Sequence, residues 1–226
     1  RRTPQERWMA MDAADLPLAL RGRAPASLRH VRSLPARPGQ TDPWPDATPP
    51  TLIEALGRRG IPAPWRHQVQ AALAAQARQN VVVATGTASG KTLAMWLPAL
   101  TTILTEPEAT VLYLAPTKAL AHDQANALDS LSLDGLRAST YDGDTPPDER
   151  GWVRSHANFV LSNPDLVHRS MLPRHTSWSR FLRNLRFILI DEAHHYRGLF
   201  GSHVALVLRR LRRMAADVGA DPLVVA

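Results

Sequence analysis

The chain has 226 residues, 44% of them hydrophobic, enough for one sizeable α/β domain with an appendage. It has no cysteine, which rules out disulfides and thiolate metal sites in this segment, and no apolar run reaches the roughly 18 residues of a membrane-crossing helix; no membrane partner and a cytoplasmic setting (on the nucleoid in a bacterium) are expected. The formal net charge of +7 points instead to an anionic partner, of which nucleic acid is the commonest.

Residues 1–50 read as an N-terminal extension. They hold nine of the 19 prolines, and Arg1-Arg2-Thr3-Pro4 is neither a start methionine nor the head of an apolar signal core, so the chain is expected to begin inside a longer protein. One short helix is expected between Pro4 and Leu20, followed by extended chain in which Arg21, Arg23, Arg29 and Arg32 are solvated.

From Thr51 the pattern becomes regular. A helix over Thr51 to Leu56 is stopped by Gly60 and Pro62, and Trp65-Arg66-His67-Gln68 leads into an alanine-rich helix running to about Arg78. An apolar strand at 80 to 84 then delivers Thr85-Gly86-Thr87-Ala88-Ser89-Gly90-Lys91-Thr92 at the start of a helix reaching about Leu104. A β-branched strand, a glycine-bearing turn and Gly-Lys-Thr opening a helix make a phosphate-binding loop. Backbone N–H groups of such a turn converge at the positive end of the helix dipole, where an anion is favoured. Lys91 supplies a point charge to the β/γ-phosphates, and the Thr92 hydroxyl is a ligand for Mg²⁺. The usual pattern has glycine where Thr85 stands, with Gly86 one place late. Of 27 basic residues only Lys91 and Lys118 are lysine; an arginine-using chain keeps a compact ammonium at the phosphate position, where a guanidinium fork is too wide.

Further apolar strands are expected at Ala109 to Leu114, near Arg137 to Tyr141, at Asn158 to Leu161, at Arg186 to Ile190 and from Pro222 onward, each separated by a helix. The last helix, about Ser202 to Ala216, has Val204, Val207, Leu208, Leu211 and Met214 at core spacing and Arg209, Arg210, Arg212 and Arg213 on its remaining surface, read as a solvated face. Strands alternating with helices argue an open, mostly parallel sheet covered on both faces, with ligands at the carboxyl ends of the strands. Asp191-Glu192 falls at such an end: Asp191 is the expected holder of Mg²⁺, and Glu192 the general base that orients the attacking water.

These residues carry a resemblance. Asp191-Glu192-Ala193-His194 is similar to motif II of the superfamily II helicases in its DEAH form, Ala115-Pro116-Thr117-Lys118-Ala119-Leu120 to their motif Ia, and Ser162-Asn163-Pro164-Asp165 to a later nucleic-acid-contacting motif. The phosphate loop, Tyr141-Asp142-Gly143-Asp144-Thr145-Pro146 and Tyr196-Arg197-Gly198-Leu199-Phe200-Gly201-Ser202-His203 resemble the MrfA (YprA)/SftH branch of DNA helicases, relatives of RecQ-like repair helicases, in which the displaced glycine is usual. The resemblance covers residues 51–226. It implies a RecA-like P-loop NTPase domain, α/β in class, whose record stops before motif III. It implies ATP and Mg²⁺ as cofactors and single-stranded DNA as partner, with 3′ to 5′ movement in DNA repair. A second RecA-like domain beyond residue 226 would supply arginines for hydrolysis, leaving this segment alone with little turnover. By the same resemblance Gln68 reads the adenine edge while Arg66 or Trp65 could pack on its face; Thr117, Lys118, Ser162 and Asn163 contact the phosphates of one strand; and His194 couples nucleotide state to the rest of the motor. The alternatives are an ATP-gated nucleic-acid-binding or regulatory module without unwinding, and an RNA helicase, since the DEAH motif is shared by RNA enzymes.

Overall fold

In the computed structural model, which describes residues 39–226 apart from 87 and 88, strands β1 (Thr110–Leu114), β2 (Ala138–Thr140), β3 (Phe159–Ser162), β4 (Leu185–Ile190) and β5 (Leu223–Val225) form one sheet in the order β2-β3-β1-β4-β5. Every pairing is parallel. Helices α1 (Pro50–Arg58), α2 (Arg66–Gln76) and α3 (Lys91–Thr105) precede β1; parallel neighbours need a crossover, and the crossovers bring in α4 (Lys118–Asp129), α5 (Pro147–His156) and α6 (Gly198–Asp217). The helix expected between Pro4 and Leu20, and the arginines after it, lie outside the described residues.

All five residues of β1 are buried, because the sheet has a covered face on each side. Alternation divides them. Val111 and Tyr113 join Leu56, Leu97, Leu100 and Leu128 from α1, α3 and α4, while Leu112 and Leu114 join Val153 and Leu211 from α5 and α6. The second face is anchored by Trp178, fully buried, with its ring edge-on to Tyr141 at 4.8 Å and to Phe181 at 5.5 Å. Burial of side chains this size contributes about 2–3 kcal/mol each, and these are the contacts that hold the strand-end loops in register.

Two elements differ from expectation. The strand expected at 80 to 84 is reduced to a single parallel bridge between Val81 and Val225, with Val81 N–H on Val224 O at 2.9 Å and Val83 N–H on Ala226 O at 2.6 Å. Between them Val82 is 80% exposed. The last helix starts at Gly198, ahead of the expected Ser202. Gln40–Ala226 is one compact unit, and part of the stretch expected as extension belongs to it. Thr41 bridges Trp65 in antiparallel fashion, Arg66 N–H bonds Gln40 O at 2.7 Å, and Trp44 packs against the first core cluster.

Candidate nucleotide and nucleic-acid site

The phosphate loop is held from two sides. Gly90, at φ 75° and ψ 30°, caps α3 in the left-handed region that favours glycine. A Cβ there would stand 2.6 Å from Gln68 Nε2, so glycine is required by contact as well as by conformation. Lys91 Nζ donates to Thr85 O at 3.2 Å, and the hydroxyls of Thr85 and Ser89 meet at 2.6 Å across the loop. Thr92 follows half-buried in the first turn of α3; Thr87 and Ala88 lie outside the described residues. A Cβ on Gly86 would meet nothing within 4 Å, so steric demand sits at Gly90 alone of these two glycines.

Gln68, the expected adenine reader, is buried, and both ends of its amide are engaged: Oε1 accepts from Trp65 N–H at 2.7 Å and Nε2 donates to Gly90 O at 2.9 Å. It therefore ties α2 to the mouth of the phosphate loop. Arg66 is half-exposed and lies 3.4 Å from Asp42, while Trp65 is 40% exposed beside Gly90.

β4 ends at Ile190 and hands its ladder bond to Asp191, whose N–H reaches Leu114 O at 2.9 Å. Asp191 Oδ1 accepts from Glu192 N–H at 2.9 Å. Glu192 then takes φ 48° and ψ 44°, a left-handed conformation for a residue with a side chain, and its Oε2 lies 3.0 Å from His194 Nδ1. Lys91, Asp191, Glu192 and His194 share one cavity of about 470 Å³ with Thr85 and Gly86. Glu192, His194 and His195 also bring carboxylate and imidazole atoms within 4.8 Å of one another, a nitrogen-rich set unlike the all-oxygen shell that Mg²⁺ prefers.

Two residues beside Asp191 had no role assigned from the sequence. The hydroxyls of Tyr113 on β1 and of Tyr196 are buried without a hydrogen-bond partner among the described residues. Burial, and after it the Asp191 charge, raises the pKa of both phenols, so both stay protonated donors. Buried orphan donors beside a carboxylate fit ordered water, the shell through which Mg²⁺ is commonly held. Asp191 and Thr92 are thus compatible with the ion expected of them. Tyr113 reads only as one apolar position in a strand, and Tyr196, though it heads the Tyr196–His203 motif, carries no local sign that its hydroxyl lies beside Asp191.

The expected nucleic-acid contacts fall at neighbouring strand ends but are not equivalent. Thr117 caps α4, its Oγ1 accepting from Leu120 N–H at 3.3 Å, and Asn163 caps the next turn, its Oδ1 accepting from Leu166 N–H at 2.9 Å. Lys118 is exposed and pairs with Asp144 at 2.7 Å, a contact that raises its pKa. Ser162 differs: it is buried and its hydroxyl donates to Tyr141 O at 2.7 Å. As the last residue of β3 its side chain is spent on the adjoining strand end. His122, on α4, meets Asp142 Oδ2 at 2.9 Å.

Residues 65–222 match the DEAD/DEAH box helicase family. The chain is 44% identical over 193 residues to the ATP-dependent helicase YprA of Bacillus subtilis, a match spanning 84% of this chain and 26% of that protein. It is 38% identical over 194 residues to the ATP-dependent helicase HRQ1 of Saccharomyces cerevisiae, spanning 84% of this chain and 18% of that one. The chain thus covers about a quarter or less of the length of these relatives. The crystal structure of the DUF1998 helicase MrfA bound to DNA and AMPPNP superposes with a TM-score of 0.83 at 40% identity, over 95% of this chain and 30% of that one. The sheet and its helices are therefore those of a RecA-like helicase domain.

Proposed function

Since the chain belongs to the DEAD/DEAH box helicase family, we propose that it is the ATP-binding half of an ATP-dependent DNA helicase that moves 3′ to 5′ on single-stranded DNA and serves DNA repair in the cytoplasm. The observation that carries this reading is the convergence of Lys91, Asp191 and Glu192, from distant parts of the chain, on one cavity at the carboxyl ends of the strands. Lys91 neutralises charge on the β/γ-phosphate oxygens. Glu192 orients a water for attack on the γ-phosphorus and takes its proton as the bond to the bridging oxygen breaks, releasing ADP and phosphate. Asp191 and Thr92 would hold Mg²⁺, which when bound offsets phosphate charge. His194, on the Glu192 carboxylate, is placed to link the base to elements beyond residue 226, among them a second RecA-like domain supplying arginines. Thr117, Lys118 and Asn163 would meet the phosphates of one strand, with Ser162 bracing the turn from below. DNA is preferred to RNA because the MrfA relative was crystallised on DNA.

The test is ATP hydrolysis by the full-length protein alone, with single-stranded DNA and with matched RNA, beside Lys91→Ala and Glu192→Gln. Stimulation by DNA that both substitutions abolish is the expected result. Stimulation by RNA alone would overturn the substrate, and nucleotide binding with no turnover on either polymer would replace the motor with an ATP-gated binding module.

A further inference from the structure

A second concavity lies away from the nucleotide cavity, where α6 passes the turn that follows β3. It measures about 430 Å³, and His168, His203, Arg209, Arg210 and Arg213 surround a floor that includes the buried Val207. Among the described residues, none of these three arginines has a carboxylate within 4.0 Å; on the same helix Arg212 instead approaches Asp221 at 3.9 Å. Arg209 and Arg213 stand one helical turn apart, a like-charge spacing that disfavours the helix unless an anion offsets it. Arg210 NH1 donates to His168 Nδ1 at 3.0 Å, so the neutral imidazole carries its hydrogen on Nε2 and keeps a donor free. The rings of His168 and His203 meet edge-to-face at 5.1 Å, and the only carboxylate recorded beside the group is Asp165, 3.6 Å from His203 Nε2 among the described residues. Three guanidinium groups with no carboxylate of their own among the described residues line one concavity beside two imidazoles, of which only His203 meets a carboxylate, and such a set is an acceptor for tetrahedral oxyanions.

Position identifies the ligand. Asp165 closes the Ser162–Asp165 turn, whose Asn163 is proposed above to meet a nucleic-acid phosphate, and His168 follows three residues later. We infer that this pocket is a second phosphate-binding site, taking a backbone phosphodiester of the same nucleic-acid strand after it leaves the turn at Asn163; this rests on the nucleic-acid reading above. The site reads no base, so it adds affinity without sequence preference.

The experiment is fluorescence anisotropy of a labelled 20-nucleotide single strand on the full-length protein across a salt series, for wild type, the double variant Arg209→Gln/Arg213→Gln, and Arg212→Gln. Binding of a fluorescent ATP analogue is followed in parallel. The expected result is about tenfold weaker binding in the double variant on every sequence, with the salt slope reduced by about 0.7 per phosphate released, nucleotide binding unchanged, and Arg212→Gln like wild type. Equal losses in Arg212→Gln and the double variant would reduce the effect to general charge and overturn the site. Unchanged affinity and slope in the double variant, with wild type binding the strand, would overturn the site alone. A wild type that binds nucleotide but no strand would overturn both the site and the nucleic-acid reading.

Discussion

Two acidic turns follow β2 and β4, with β3 and β1 between them in the sheet, and they have opposite fates. At the end of β2, Asp142 is buried and its oxygens are consumed: Oδ1 accepts from the N–H groups of Asp144 and Thr145 at 2.8 and 3.1 Å, and Oδ2 meets His122 at 2.9 Å. Arg150 then clamps the same loop through Thr145 O and Gly143 O. At the end of β4, Asp191 and Glu192 stay half-exposed and face a cavity, with two orphan phenols beside them. A carboxylate at a strand end therefore declares its role by what it leaves unsatisfied: the first turn is a brace, the second a site.

The sharpest way to break that contrast is to remove one carboxylate from each. Glu192→Gln should lower DNA-stimulated ATP turnover by about 10²–10⁴ while leaving the urea midpoint where it was; a turnover within threefold of wild type would remove Glu192 as base. Asp142→Ala should do the reverse, costing about 2–3 kcal/mol in urea denaturation with nucleotide affinity intact. The pH profile sharpens the same point. Burial alone would push the Asp142 pKa up, but the Asp144 N–H and His122 outweigh it and hold the pKa below the usual carboxylate range. Its contribution is present above the unfolded value of about 4 and is lost as pH falls through the lower folded one. Asp142→Asn should therefore flatten the acid limb of the stability curve, and a limb unchanged from wild type would show that another group sets it. The smallest effect belongs to Lys118→Ala: its pair with Asp144 is exposed, so thermal stability should not move, whereas strand affinity should fall.

The same contrast explains what the sequence could and could not yield. Apolar runs such as Val111-Leu112-Tyr113-Leu114 announced buried parallel strands, and Gly90-Lys91-Thr92 and Asp191-Glu192 stood out as the candidate nucleotide site, whose Lys91, Asp191 and Glu192 share one cavity, because both signals are local. The stretch at 80 to 84 makes a single bridge to β5, because pairing depends on the strand laid beside it, which its own valines do not encode. His122, twenty residues from Asp142, carried no local mark, and Ser162 looked like a surface contact because its motif does not say which face of the strand end it occupies. The burial of the Tyr113 and Tyr196 hydroxyls beside Asp191 was unreadable for the same reason: both placements are consequences of assembly.

The left-handed backbone at Glu192 puts thermostability and turnover in opposition at a single residue. An L side chain there resists the conformation by about 1–2 kcal/mol, so Glu192→Gly should raise the melting temperature of the domain while abolishing hydrolysis. Selection for heat resistance alone would erode this position, as it would the left-handed Arg78 and Ser132; an ordinary core residue gives no such reward for losing its side chain.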